Sequence, residues 1–125
     1  FMYTGDKEDL ETYFNQQKPE LYKATASITK NMEKRGGGIL DVELVDKTDK
    51  LANYYQLHVT FETKDSMGAN FINSCLEAMA NQFRNDDIEI VMSILSNYVT
   101  DCVVRAEVIC RKILPSSSNC RNRTL

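Results

Sequence analysis

Tyr55-Gln56-Leu57-His58-Val59-Thr60-Phe61-Glu62 (YQLHVTFE) alternates strictly. Tyr55, Leu57, Val59 and Phe61 point one way, and Gln56, His58, Thr60 and Glu62 the other. A period of two predicts a strand of a sheet with one face in the core and one face wetter, the pattern of antiparallel sheets. Downstream, Met67, Phe71, Ile72, Cys75, Leu76, Met79, Ala80 and Phe83 recur at helical spacing and predict an amphipathic helix opening over Asp65 to Asn70. Upstream, Leu40 to Val45 alternates, with Leu40, Val42 and Leu44 sharing the apolar face, and the polar run Asp46 to Lys50 makes the turn between the two strands.

Further out, Phe1 to Tyr3 reads as the stump of a first strand, and Thr4, Gly5 and Asp6 bring turn and cap chemistry. Lys7 to Gln16 is helical in composition, with Leu10, Tyr13 and Phe14 on one side; Pro19 interrupts it and suits the first turn of a new helix carrying Leu21, Thr25, Ile28 and Met32. Gly36, Gly37 and Gly38 stop that helix. After a turn at Asn85 to Asp87, Ile88, Ile90, Met92 and Ile94 line one face of another strand, and Val91 and Leu95 are apolar on the other. Apolarity on both faces predicts cover from another domain. Val103 to Ile109 reads as a last strand. The order predicts an α+β fold, a ferredoxin-like split βαβ arrangement with two helices on one face of an antiparallel sheet.

The chain has 125 residues, 42% hydrophobic and 26% charged, as expected for one globular domain. Its net charge of −3 argues against nucleic acid or an acidic membrane surface as the main partner. The face bearing Gln56, His58, Thr60 and Glu62 lacks the exposed aromatics of an RNA-binding sheet. No apolar run approaches the roughly 18 residues of a membrane span, and no secretory signal is read, so a cytoplasmic location is expected. Phe1 falls inside a strand-like run, so the chain reads as a fragment of something larger. Cys75, Cys102, Cys110 and Cys120 have spacings that match no zinc pattern and are expected to be reduced thiols; no metal site is expected.

The segment with chemical content is Asp65-Ser66-Met67-Gly68-Ala69-Asn70. It joins a strand to a helix start, where unpaired N–H groups and the helix dipole favour an anion. Gly68 lets a phosphate or flat ring approach the backbone, Asp65 or Ser66 is expected to cap the helix, and Asn70 offers a donor and an acceptor. A capped helix with a small packing residue would carry the same letters. The lone His58 has no partner carboxylate or thiol in view and reads as a solvated or hydrogen-bonded side chain.

DSMGAN at Asp65 to Asn70 is similar to the DAMGxN cofactor motif of 3-hydroxy-3-methylglutaryl-coenzyme A reductases. The glycine run Gly36 to Gly38, Asp41-Val42-Glu43, Phe71-Ile72-Asn73 and Ile94-Leu95-Ser96-Asn97 follow in the family's order, so the resemblance, to the soluble bacterial-type class, spans Phe1 to Arg111. It implies a small NAD(P)-binding domain at residues 1–113, inserted in a larger catalytic domain of a homodimeric enzyme that interconverts hydroxymethylglutaryl-coenzyme A and mevalonate. By position, Asp65, Ser66, Met67, Gly68, Ala69 and Asn70 would bind the NAD(P)H cofactor and Asn97 would lie near its nicotinamide. Where some NADH-using members carry an acidic residue, this chain has Thr29, with Lys30 and Arg35 nearby, which favours NADPH or mixed use. The family's catalytic residues have no counterpart here, so the chain alone is expected to be inactive.

The competing expectation is a ferredoxin-like regulatory module that senses a small metabolite and pairs through its sheet at Val91 and Leu95. Residues 114–125, rich in serine and unlike the family, are expected to be a disordered tail.

Overall fold

The computed structural model describes residues 1–96, 98 and 104–109. Its elements run β1 (Met2–Tyr3), α1 (Lys7–Glu33), β2 (Gly38–Asp46), β3 (Tyr55–Glu62), α2 (Ala69–Phe83) and β4 (Ile88–Glu89), an α+β fold. β3 coincides with the alternating run that decides the reading, and it pairs antiparallel with β2 from Gly38↔Glu62 to Asp46↔Tyr55. β1 pairs antiparallel with β4. These are two separate two-stranded ladders. They are stitched by Phe1 N–H to Tyr55 O at 2.9 Å, Tyr55 N–H to Phe1 O at 3.0 Å and Tyr3 N–H to Asn53 O at 2.9 Å, beside an antiparallel bridge between Met2 and Tyr54.

α1 and α2 pack on each other and close a core in which Leu10, Leu21, Val42, Met79 and Phe83 are almost wholly buried. α2 buries Ile72, Cys75, Met79 and Phe83, spaced by three or four residues, so they form one stripe. Cys75 is a free thiol inside this core, and burial pushes its pKa up to about 11. At neutral pH it is therefore an inert apolar group. Cys102, Cys110 and Cys120 lie outside the described residues.

Several expectations need correction. Residues 7–33 form one continuous helix, with Pro19 inside it rather than at the start of a second. Proline removes the hydrogen bond that the Asn15 carbonyl would accept. Both residues lie on the exposed face, where water can serve that carbonyl, while Phe14 and Leu21 anchor the helix on either side of the break. Pro19→Ala restores the missing bond and is expected to stabilise the chain by about 1–2 kcal/mol in urea melts. The proline's stiffening of the unfolded chain keeps the gain below the full cost of an interior proline.

Leu40 is 62% exposed instead of facing the core. The β2–β3 register slips between Ile39 and Asp41, so Leu40 is a bulge residue that turns outward. Ile39 packs against the core in its place, and Val42 and Leu44 keep their expected side.

β4 stops at Glu89, although its alternation continues to Ile94. Its only partner among the described residues, β1, has two residues, and a strand without a partner leaves its N–H and C=O groups unpaired. Val91, Met92 and Ile94 are all more than 60% exposed. The predicted last strand is likewise not formed at residues 104–109, where Val104, Val108 and Ile109 are exposed. The expected tail, residues 114–125, lies outside the described residues.

The hairpin loop is tied down by Asp46. Its carboxylate accepts from Thr48 N–H at 2.8 Å and Thr48 Oγ1 at 2.7 Å, and Lys7 Nζ lies 3.0 Å from Oδ2. The Thr48 N–H first, then the Thr48 hydroxyl and Lys7, hold the Asp46 pKa down at about 2. A depressed carboxylate contributes stability that is present above its ordinary value of 3.8 and is lost as pH falls towards about 2. The wild-type melting temperature is accordingly expected to fall more steeply between pH 4 and pH 2 than that of Asp46→Asn, as followed by circular dichroism.

Candidate functional site

The hairpin register assembles the site. Gly38 faces Glu62 across the β2–β3 ladder, so the turn before β2 and the turn after β3 emerge at the same end. α1 ends there in a tight turn, with Gly36 N–H bonded to Glu33 O at 2.8 Å and Gly37 N–H to Met32 O at 3.0 Å. Gly36 sits at φ +81°, the left-handed geometry that glycine adopts most readily at a helix end. A Cβ at Gly37 would run into the Glu62 carbonyl, so this close approach of two backbones requires glycine. Residues of the glycine run and of the Asp65 segment, far apart in sequence, thus meet at one corner.

Arg35 and Asp65 join across that corner, with Nη2 to Oδ1 at 2.6 Å. The Arg35 guanidinium, helped by the backbone N–H of Asp65, holds the Asp65 carboxyl below the usual aspartate range. Both side chains are largely exposed, so the pair adds little to stability. The sequence suggests positive charge from Arg35 but not this partner. The usable signal is the register: Arg35 lies three residues before Gly38 and Asp65 three after Glu62.

Between β3 and α2 the chain folds back on Thr63. Ser66 N–H and Oγ both donate to the Thr63 carbonyl, at 3.1 and 2.7 Å. Ser66 therefore does not cap α2, and neither does Asp65. The N-cap is Gly68, at φ +70°, and among the described residues no side chain caps the helix start. An added Cβ at Gly68 would lie 2.5 Å from Thr63 Cγ2 and 2.9 Å from Thr63 Cβ, so this glycine is a structural requirement.

Ile72 N–H donates back to Gly68 O at 2.9 Å and is the first bonded amide of the helix. The N–H groups just before it point outward without an intrahelical acceptor. The first turn of α2 contains no acidic residue, and the Asp65 carboxylate just before it is paired with Arg35. Met67 is 86% exposed beside this opening, away from the core stripe in which the sequence reading includes it, because α2 begins two residues later. Ala69 is half-buried and Asn70 is exposed on the first turn. Asn97 lies outside the described residues.

Thr29 is 2% exposed, with its hydroxyl on Ala26 O at 3.4 Å, so its side chain faces the core rather than solvent. Lys30, next to it, is exposed. His58 is exposed and bonds through Nε2 to Gln56 Oε1 at 2.9 Å, as a solvated strand residue does. Among the described residues no group of three or more His, Cys, Asp or Glu is placed to hold a metal ion. None of the described helices is long and apolar enough to cross a membrane.

Among the described residues, cavities lie in other places. One of about 540 Å³ lies between α1 and β2 near Lys18 and Asp41, and one of about 420 Å³ lies between β3, α2 and residues 90–96. The α2 start is an open surface and belongs to neither.

The arrangement is a helix start with no side-chain cap and no acidic residue in its first turn, with an amide, a thioether and a left-handed glycine around it. The N-terminus of a helix in general favours an anion. The chain is 27% identical over 124 residues to a protein of Borreliella burgdorferi named probable 3-hydroxy-3-methylglutaryl-coenzyme A reductase. That alignment covers 97% of this chain but only 28% of the relative's length. Residues 1–117 match the family described as hydroxymethylglutaryl-coenzyme A reductase. That match takes in nearly the whole sequence, and the chain belongs to the hydroxymethylglutaryl-coenzyme A reductase family.

Proposed function

We propose that residues 1–113 are the NAD(P)H-binding small domain of a hydroxymethylglutaryl-coenzyme A reductase, the oxidoreductase that interconverts hydroxymethylglutaryl-coenzyme A and mevalonate. The observation that carries this reading is the start of α2, which has no side-chain cap, no acidic residue in its first turn, and Met67 exposed beside it. A dinucleotide bound there would cover Met67 and supply acceptors to the uncapped amides. The cofactor supplies hydride when bound. The chain's own groups bind and orient it: the free N–H groups and dipole of α2 receive its diphosphate, Gly68 keeps the backbone clear, and Met67 offers an apolar surface to a ring. Asn70, and Asn97 at the nicotinamide end, donate and accept hydrogen bonds.

The ferredoxin-like reading belongs to the same proposal. The hydrogen bonds between Phe1, Tyr3 and the residues leading into β3 support a spatial order β4-β1-β3-β2, as in a split βαβ unit. The exposed Val91, Met92 and Ile94, in a chain spanning 28% of its relative, fit a surface covered by a larger catalytic domain. In that reading the parent enzyme is a cytoplasmic homodimer, and the chain alone turns over no substrate because the family's catalytic residues have no counterpart in it.

Binding of NADH and of NADPH, followed by nicotinamide fluorescence, tests the proposal. Saturable binding at submillimolar concentration is expected. Asn70→Ala, a change on an exposed surface, is expected to weaken it about tenfold, the loss of about one hydrogen bond. No saturable binding of either dinucleotide at millimolar concentration would refute the proposal.

A further inference from the structure

A dinucleotide seated at α2 brings its diphosphate charge close to Asp65, three residues before the Gly68 N-cap. The Asp65 side chain is 86% exposed, and Arg35 is its one side-chain partner among the described residues. An unpaired carboxylate there would repel the diphosphate and leave the turn from Thr63 to Gly68 free to swing. Arg35 acts against both. It stands in the tight turn after α1, one residue past the Lys34 C-cap, with its own N–H bonded to Met32 O at 3.0 Å.

We propose that Arg35 is a positioning residue for the dinucleotide site, its guanidinium anchoring the turn through Asp65 and offsetting that carboxylate beside the α2 start. This rests on the dinucleotide reading given above. Arg35 acts through Asp65 and not by touching the cofactor. Its loss should therefore weaken NADH and NADPH equally, which separates this role from direct recognition of a 2′-phosphate.

The test uses the full chain and its variants Arg35→Ala and Arg35→Lys, with NADH and NADPH as probes and the Asp65 carboxyl carbon titrated by NMR. Arg35→Ala is expected to weaken both dinucleotides about tenfold, with their ratio unchanged, and Arg35→Lys, which keeps the charge but loses the planar fork, to fall between. The Asp65 titration midpoint is expected to rise towards the ordinary aspartate value in Arg35→Ala, a response that a purely structural role for Arg35 elsewhere would not produce. Arg35 is half-exposed at a helix end, so the variants should keep the wild-type amide spectrum in the core. Unchanged affinities in both variants, or a loss confined to NADPH, overturn the proposal while the dinucleotide reading stands. Absence of dinucleotide binding in the wild-type chain overturns that reading and the role of Arg35 with it.

Discussion

Phe83→Ala is expected to destabilise the chain by about 3–5 kcal/mol, the usual cost of emptying a packed aromatic site. Phe83 is 1% exposed at the C-terminal end of α2. Its ring meets Phe1 edge-on at 5.4 Å and Tyr13 at 5.3 Å, and its carbonyl accepts from the Tyr13 hydroxyl at 3.2 Å. One side chain thus joins α2, α1 and the residue leading into β1. Domains of this size have unfolding free energies of about 5–15 kcal/mol, so the variant should lose a large part of its stability. A urea midpoint shift equivalent to less than about 1 kcal/mol would show that this core is not assembled as described.

Gly68→Val is expected to have the second large effect, and on two observables together. The φ of +70° is strained for any residue with a side chain and worst for a β-branched one. The new Cβ would also meet Thr63 at 2.5 Å. Relief requires the turn to open or the first turn of α2 to unwind, at a cost of about 2–3 kcal/mol. Either movement displaces the amides that receive the diphosphate, so dinucleotide affinity should fall by more than tenfold, beyond the loss for Asn70→Ala. Hydrogen exchange should show the damage at residues 63–72, with Met79 and Phe83 still protected. Wild-type affinity in a folded Gly68→Val chain would remove Gly68 from the site.

Whether a feature was legible in the sequence depended on whether it leaves a periodic trace. The alternation of Tyr55–Glu62 needs one buried face and nothing else, so β3 was readable to its ends. The stripe from Ile72 to Phe83 was readable for the same reason. The bulge at Leu40 was not, because an extra residue in one strand changes the partner alignment without changing composition. Pro19 misleads through a sound rule, since proline costs a hydrogen bond, but an exposed carbonyl can take that bond from water. In residues 90–94 the alternation is genuine but has no partner strand among the described residues, and a pattern alone cannot form a ladder.

The site divides in the same way. The motif from Asp65 to Asn70 stands out as a word, yet the roles of its letters depend on geometry: Ser66 folds back on Thr63, Gly68 caps the helix, and Asp65 holds Arg35. Thr29 shows the limit of carrying a role over by position, since its side chain points into the core.

The most direct test of the dinucleotide reading is a titration of the isotopically labelled chain with NADH, and separately with NADPH, mapped residue by residue by NMR. Saturating shifts centred on Asp65 to Asn70, with smaller ones at Arg35 and the glycine run, are the predicted result. A folded spectrum with shifts elsewhere, or with none at millimolar ligand, would contradict it and favour a ferredoxin-like module that senses a different metabolite.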